Sequence, residues 1–330
     1  MAESVALPFF VPVFATVQGS VASCLALAQH PDGYRAILNQ CTTVTCKRRT
    51  WEKISTPDVF ISGVAPRNFK QLQTYTVSLR YASRFAGEVI KQMLNDGYYV
   101  NYTKIDDFYL PGKSWYGTRH MPHDGIICGY DEADKTYSVA AYDINWVFTL
   151  IRIPQDCLAL GIEACLAEGE YGDLIGVKVK EVPIPLDLKQ IGKRMKLHLD
   201  SSLEIYPPNQ NGKAYGLVVY DYLMRYMEDL YEGRVSYEKM DWRVLRPIWE
   251  HKKCMLDRIR AVEEELGWTN TLSVAYEPLL EQADHLRMMY ALHHRKRRDS
   301  VLPRIREGLA RIKESETAIL NEFVEQLENY

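Results

Sequence analysis

Residues 124–153, DGIICGYDEADKTYSVAAYDINWVFTLIRI, decide the fold class of the first half of the chain. They contain three runs rich in β-branched and aromatic residues, at 124–130, 136–142 and 146–153, which are separated by turn-forming residues. A similar run, YYVNY, precedes them at 98–102. Successive strands joined by turns pair with their chain neighbours in an antiparallel manner. We therefore predict an antiparallel meander of four strands.

A helix is predicted directly before this meander, from about residue 75 to about residue 95. Apolar residues recur there at steps of three and four, which is the spacing of one helix face. The turn formers Asn95-Asp96-Gly97 predict its end.

The C-terminal part of the chain has helical spacing throughout. Apolar residues recur at steps of three and four in 245–266 and 305–327, and the segment between them also has helical character from 274 to 298. Lys252 interrupts the first apolar face and Glu316 interrupts the second. Helices of this kind bury their apolar faces against one another in an antiparallel bundle.

Two domains follow from these patterns. The turn-rich stretch YPPNQNG at 206–212 separates the strand-rich part from the helical part. We therefore predict an α+β domain over residues 1–205 and an all-helical bundle over residues 206–330.

Composition limits the class of protein. With 330 residues, 47% hydrophobic and 25% charged, the chain is long and apolar enough for one large or two ordinary globular domains. Its formal net charge of −3 provides no overall field that would attract nucleic acid or an anionic membrane. Seven cysteines, an odd number without a CxxC pair, argue against a disulfide framework and a zinc knuckle, so we expect thiols in a reducing cytoplasm.

The N-terminal segment raises the question of secretion. It is apolar, and Val21-Ala22-Ser23-Cys24 is similar to the cleavage box of a bacterial lipoprotein. A signal peptide has a basic start and an uninterrupted apolar core, whereas this segment carries Glu3, two prolines and no Lys or Arg. We therefore expect a cytoplasmic protein without a membrane anchor.

Cysteine-based acyl chemistry has candidate residues in the first half. Cys24 precedes the apolar run Leu25-Ala26-Leu27-Ala28, which has helical composition. A thiol at a helix N-terminus has a lowered pKa and is a better nucleophile. Gln18, six residues earlier, can donate its side-chain N–H to an oxyanion. The alternative is that Cys24 is a small core residue.

His123 and Asp143 complete a possible catalytic set. His123 precedes a predicted strand and can act as a general base. Asp143 ends the next strand, and antiparallel neighbours bring the start of one strand beside the end of the other, so Asp143 can orient the imidazole. Alternatively, His123 braces the sheet edge and Asp143 caps a turn; Asn145 is a second candidate for orienting the ring.

A loop between the first two strands of the meander carries aromatic residues. Tyr109, Trp115 and Tyr116 are predicted to line a substrate cleft, the alternative being that the loop packs on the helical part. The same loop brings His120 near several Asp residues, but a Gly- and Pro-containing loop lacks the rigid spacing of a metal site, so no metal is predicted.

Several phrases resemble a known family. Gln18 with Cys24 six residues later, HDGIICGYD at 123–131 and a strand ending in Tyr142-Asp143 resemble papain-like cysteine peptidases of the bacteriocin-leader-processing type. Together with DDFYLPG at 106–112, EHKK at 250–253 and DRI at 257–259, they more narrowly resemble the family around butirosin biosynthesis protein H.

This resemblance implies an acyltransferase of nonribosomal peptide or related antibiotic assembly. Such an enzyme takes an acyl group from the phosphopantetheine thioester of an acyl or peptidyl carrier protein onto Cys24 and passes it to a small amine. The chain itself would hold no cofactor. The alternatives are an inactive scaffold of such a pathway and a cysteine thioesterase or peptidase.

A basic run offers a docking surface for an acidic carrier protein. It comprises Arg295, Lys296, Arg297 and Arg298 at the end of the second long predicted helix. The alternative is a solvated helix end, where cations are favourable. The helical domain is expected to cover the cleft or to form a homodimer.

Overall fold

The structure is a computed structural model that describes residues 3–15, 18–47, 56–202 and 213–330. The described residues form two compact units, one from 1–36 with 64–184 and the other from 37–63 with 185–330. The second unit thus includes residues 37–47, 56–63 and 185–202, which the predicted boundary at residue 205 assigns to the first domain.

The first unit is built on a seven-stranded antiparallel sheet. Its strands, numbered in chain order with β2 and β3 in the second unit, are β1 (Ser4–Ala6), β4 (Leu72–Ser78), β5 (Tyr99–Asp106), β6 (Pro122–Asp131), β7 (Thr136–Tyr142), β8 (Phe148–Pro154) and β9 (Asp173–Val179). The spatial order is β4-β9-β5-β6-β7-β8, with β1 paired to β6. The meander β5 to β8 confirms the prediction from the sequence, and β9 inserts between β4 and β5.

Among the described residues, four α-helices lie wholly in the first unit. They are α1 (Gln18–Leu27), α3 (Leu79–Ala82), α4 (Ala86–Asn95) and α5 (Gln155–Ala167), whereas α2 (Gly33–Gln40) crosses into the second unit. The helix predicted from residue 75 is wrong in its first turn, because residues 72–78 pair with β9 as strand β4. This pairing joins distant parts of the chain, so local spacing could not reveal it.

The core on one face of the sheet lies under α4 and α5. Ile90 of α4 and Ile162 of α5 belong to the same buried apolar cluster as Val100, Tyr102 and Ile127 of the sheet. Gln29, just after α1, donates to the hydroxyl of Tyr99, the neighbour of Val100. Because successive residues of a strand point to opposite faces, α1 packs on the other face of the sheet.

The second unit combines a small sheet with long helices. The sheet has the order β10-β2-β3, from β2 (Val44–Lys47), β3 (Val59–Ile61) and β10 (Lys213–Tyr215). The helices are α6 (Leu188–Leu199), α7 (Val218–Tyr231), α8 (Arg246–Leu266), α9 (Thr271–Lys296) and α10 (Leu302–Glu328). Helices α8 to α10 confirm the three helices predicted from the apolar spacing.

Buried apolar residues hold the helices of the second unit together. Ile191 of α6, Ile259 of α8, Tyr276 of α9 and Phe323 of α10 belong to one buried cluster. Among the described residues, no helix has both the length and the apolar character needed to cross a membrane. The architecture is α+β, with an antiparallel sheet in the first unit and long helices in the C-terminal part of the second.

Candidate functional site

Cys24 lies inside helix α1. The helix begins at Gln18, and Ala28 N donates to Cys24 O, so Cys24 is more than one turn from the N-terminus. The expectation that Cys24 opens a helix is therefore wrong, and the unpaired N–H groups of a helix start do not surround its thiol. Cys24 is 5% exposed, more than the other described side chains of this helix. The side chain of Gln18 lies outside the described residues, and its oxyanion role stays a prediction.

His123 lies at the start of strand β6, as the sequence predicts. It pairs with Ile105 of β5, and its side chain is 41% exposed. Its Nδ1 lies 3.8 Å from Asp107 Oδ2 and 3.5 Å from Asp124 Oδ1. The ring is thus accessible and has two carboxylates beside it.

Asp107 is the more deeply buried of these two carboxylates. It forms an ion pair with Lys113, whose Nζ lies 2.7 Å from Asp107 Oδ1, and both side chains are 3% exposed. Burial raises the pKa of Asp107 to about 6, although the Lys113 ammonium opposes the shift. The pKa of Asp124 is also raised to about 6 by burial, but this side chain is 34% exposed and water moderates the effect.

Lys113 and Tyr102 line the buried side of this group. Lys113 Nζ donates to Asp124 O at 3.3 Å and lies 5.8 Å from the centre of the Tyr102 ring. The buried hydroxyl of Tyr102 has no hydrogen-bond partner among the described residues. A buried ammonium, two carboxylates with raised pKa and an accessible imidazole therefore meet at one end of the sheet, where proton transfer near neutral pH is chemically feasible.

Asp143 takes part in its own turn. Its Oδ1 accepts hydrogen bonds from the backbone N–H groups of Asn145 and Val147, both at 2.8 Å. This is the turn-capping arrangement that the sequence offered as an alternative. The structure therefore places Asp107 and Asp124 beside His123, while the orienting role assigned to Asp143 stays a prediction.

Sequence reasoning missed Asp107 as a partner of the imidazole. The rule that antiparallel neighbours bring strand ends together was applied to β6 and β7, but it applies equally to β5 and β6. Asp106 ends β5 and pairs with Pro122 at the start of β6. The acidic pair Asp106-Asp107 was therefore the available signal.

The aromatic loop between β5 and β6 is fixed at both ends. Asp106 Oδ1 accepts from the backbone N–H of Phe108 and of Met121, and Asp106 Oδ2 lies 2.7 Å from His120 Nδ1. Burial opposes ionisation of Asp106, but these hydrogen bonds prevail and lower its pKa. Within this loop, Tyr109 packs edge-on against Phe108.

The two other aromatic residues predicted to bind substrate lie further along this loop. Trp115 packs at 87° against Trp146, with 6.2 Å between ring centres. Tyr116 is 49% exposed. Their role in binding substrate stays a prediction.

A second polar cluster lies in the core of the second unit. His198 of α6, His251 and Lys252 of α8, and Glu316 of α10 are completely buried. His198 Nε2 and His251 Nδ1 lie 3.7 Å and 3.9 Å from Glu316 Oε1. Two imidazoles and a carboxylate at this spacing resemble a metal-ligand set.

Lys252 supplies a cation to this cluster. Its ammonium forms an ion pair with Glu316 and lies 3.0 Å from His251 Nδ1. The hydroxyls of Tyr220 and Tyr276 also donate to Glu316, at 2.9 Å and 2.7 Å. These donors use the carboxylate oxygens that a metal ion would need, so the residues fit an ammonium better than a divalent metal.

The basic run lies on the surface of the second unit. Arg295 and Lys296 end helix α9, and all four residues from Arg295 to Arg298 are exposed. Arg297 adopts a left-handed backbone conformation, with its guanidinium 4.5 Å from the ring centre of Tyr237. The helix therefore ends before Arg298, and docking of a carrier protein on this run stays a prediction.

No model of a known protein family matches the sequence, and no curated protein matches it significantly.

Proposed function

We propose that the chain is a cysteine-dependent acyltransferase with a papain-like first unit. The acyl group would come from a carrier-protein thioester of a natural-product pathway of the nonribosomal peptide type, form a thioester on Cys24 and then pass to a small amine. A reducing cytoplasm suits this chemistry because the nucleophile must be a thiol. The observation that carries the proposal is the accessible His123 ring beside the buried Asp107–Lys113 ion pair.

His123 is the general base of the proposed reaction. It takes the proton of the Cys24 thiol as sulfur attacks the thioester carbonyl, and the carrier thiol leaves with a proton. In the second half, His123 takes a proton from the amine as nitrogen attacks the Cys24 thioester, and it returns this proton to the Cys24 sulfur, which leaves as the thiol. A carboxylate at 3.8 Å favours the imidazolium form in both halves, so Asp107 is a positioning residue that acts through His123.

The proposal requires the imidazole to reach the thiol. Helix α1, which carries Cys24, packs against β5 and β6. Asp107 directly follows β5, and His123 lies at the start of β6. Strand alternation puts His123 on the face that carries Gly125, which lies against Tyr102, whereas α1 packs on the other face. His123 is one residue from the start of β6. The proposed proton transfer therefore requires this strand end to rearrange so that the imidazole reaches the face on which α1 packs.

Intact-mass spectrometry tests the covalent step. The chain is incubated with an acyl N-acetylcysteamine thioester, and we expect an adduct in the wild type but not in Cys24→Ala. Cys157→Ala is the matched control, because Cys157 is the more exposed thiol of the first unit, and it should keep the adduct. An adduct that survives in Cys24→Ala, or none with the wild type, refutes the proposal.

Alkylation kinetics test the base. Reaction of Cys24 with iodoacetamide should depend on pH through His123, so His123→Ala should slow it near neutral pH and remove that dependence. Ordinary thiol kinetics in both proteins, together with no adduct, would favour the inactive scaffold, which the burial of Cys24 makes the second candidate.

A further inference from the structure

Trp146 has an unusual backbone conformation. Its φ is 61°, in the left-handed region that bulky residues rarely adopt. The turn is held there by Asp143, whose carboxylate accepts from Asn145 N and Val147 N and whose carbonyl accepts from Trp146 N at 2.9 Å. A strained conformation that persists in an exposed turn points to a role for the side chain that it orients.

Trp146 lies among exposed apolar side chains. Its ring is 41% exposed and packs edge-on against Trp115, while Ile144 and Val147 beside it are 65% and 55% exposed. The guanidinium of Arg119 lies 5.3 Å from the ring centre of Trp115. Contiguous exposed apolar side chains of this kind commonly mark a binding surface.

This patch is connected to the candidate site by a short segment. Ser114 Oγ donates to Asp143 O, and Lys113 forms a bridge with Asp143 through the backbone. The ammonium of the same Lys113 pairs with Asp107 beside His123. The aromatic pair and the imidazole are therefore positioned by the same few residues.

We propose that Trp115 and Trp146 form a subsite for a large apolar acyl group of the donor thioester. This inference rests on the proposed acyl transfer, because continuity with the His123 site selects an acyl group as the occupant. The two perpendicular rings offer an apolar wall, and Arg119 lies at its polar edge. A long apolar acyl group would bury more apolar surface against this wall than a short one, so the subsite would select for chain length.

Binding to Cys24→Ala tests the subsite without any chemical step. Isothermal titration compares S-octanoyl and S-acetyl N-acetylcysteamine, and we expect the octanoyl probe to bind at least about tenfold more tightly, about 1.4 kcal/mol. Adding Trp146→Gly should remove this difference. Gly accepts the left-handed conformation, so this variant should keep its thermal midpoint while it loses the ring.

Tyr81→Ala is the matched control, because Tyr81 is an aromatic residue of the same unit that is 81% exposed. It should leave the preference for the octanoyl probe unchanged. Equal binding of the two probes, or a preference that survives in Trp146→Gly, overturns the subsite. Binding is measured in Cys24→Ala, which forms no adduct. If the wild type also forms no covalent adduct, the acyl transfer is refuted, but the measured preference for the octanoyl probe is unaffected.

Discussion

Replacing Lys252 by Met should strongly destabilise the second unit. The ammonium of Lys252 is completely buried and forms an ion pair with the equally buried Glu316. Lys252→Met leaves an ionised carboxylate in the core without its cation. Removing one partner of a buried ion pair typically costs about 3–5 kcal/mol.

The remaining donors to the carboxylate set the size of the effect. Tyr220 and Tyr276 still donate hydrogen bonds to Glu316 in the variant. We therefore expect the lower end of the range, about 3 kcal/mol. Adding Glu316→Gln removes the unpaired charge, so the double variant should be more stable than Lys252→Met alone, with a coupling of about 2 kcal/mol.

Urea unfolding followed by far-UV circular dichroism measures these differences. The penalty should also depend on pH. In the wild type, the Lys252 ammonium holds the pKa of Glu316 well below its usual range despite burial, so this stabilisation is present above about pH 4.3 and declines below it. In Lys252→Met the buried carboxyl has a raised pKa, so the deficit should be largest at neutral pH and shrink on acidification.

Two results would refute this reasoning. One is a loss below about 1 kcal/mol for Lys252→Met at pH 7, which would mean that the pair is not buried together. The other is additivity, in which the change in unfolding free energy of the double variant equals the sum of the changes in the two single variants. It would mean that the two side chains do not interact. Stabilisation of the wild type by added zinc would instead show that a metal displaces the ammonium.

Three further perturbations test other parts of the structure. Arg258→Met should lower the free energy of unfolding by about 3 kcal/mol, because the buried guanidinium donates to backbone carbonyls at the end of α2. The control is Arg260→Met, at an exposed ion pair, which should change this free energy by less than about 1 kcal/mol. Equal losses in the two variants would contradict the burial of Arg258. Gly125→Ala should destabilise the first unit by about 1–3 kcal/mol and lower its thermal midpoint, because the added methyl would overlap the Tyr102 side chain. An unchanged midpoint would place the Tyr102 ring elsewhere. Burial raises the pKa of Asp107 and of Asp124 to about 6, so the folded state binds these protons more tightly and wild-type stability should fall as pH rises from about 4 to 6. A pH titration of the thermal midpoint should show that Asp107→Asn reduces this slope and that Asp107→Asn with Asp124→Asn reduces it further. An unchanged slope in Asp107→Asn would contradict the burial of Asp107.

The sequence predicted the elements whose pattern is local. The meander from β5 to β8 and the helices α8 to α10 follow from periods of two and of about four residues. Strand β4 was missed because the apolar spacing after residue 75 predicts a helix, whereas residues 72–78 pair with the distant strand β9. The position of Cys24 was misjudged because local composition predicted where the helix lies but not where it begins.

The candidate site was predictable in part, for a similar reason. His123 at a strand opening is a local property, and the structure confirms its position. Its carboxylate neighbours depend on which strand end lies beside it, and β6 has neighbours on both sides. The sequence favoured Asp143, which ends β7. The fold instead brings Asp107, next to the end of β5, to the ring, where Asp124 of β6 itself also lies.

The buried charges of the second unit show what a sequence pattern can still reveal. Lys252 and Glu316 each interrupt an otherwise apolar helix face, and each alone would suggest a flaw in the predicted helix. Taken together they are complementary, because an ionised group in a core requires an opposite charge. Two interruptions of opposite sign on two apolar faces therefore predict that the faces meet at those residues, and the structure pairs Lys252 of α8 with Glu316 of α10. Such a pair also fixes the axial register of the two helices, because a shift by one turn would leave both charges buried and unpaired.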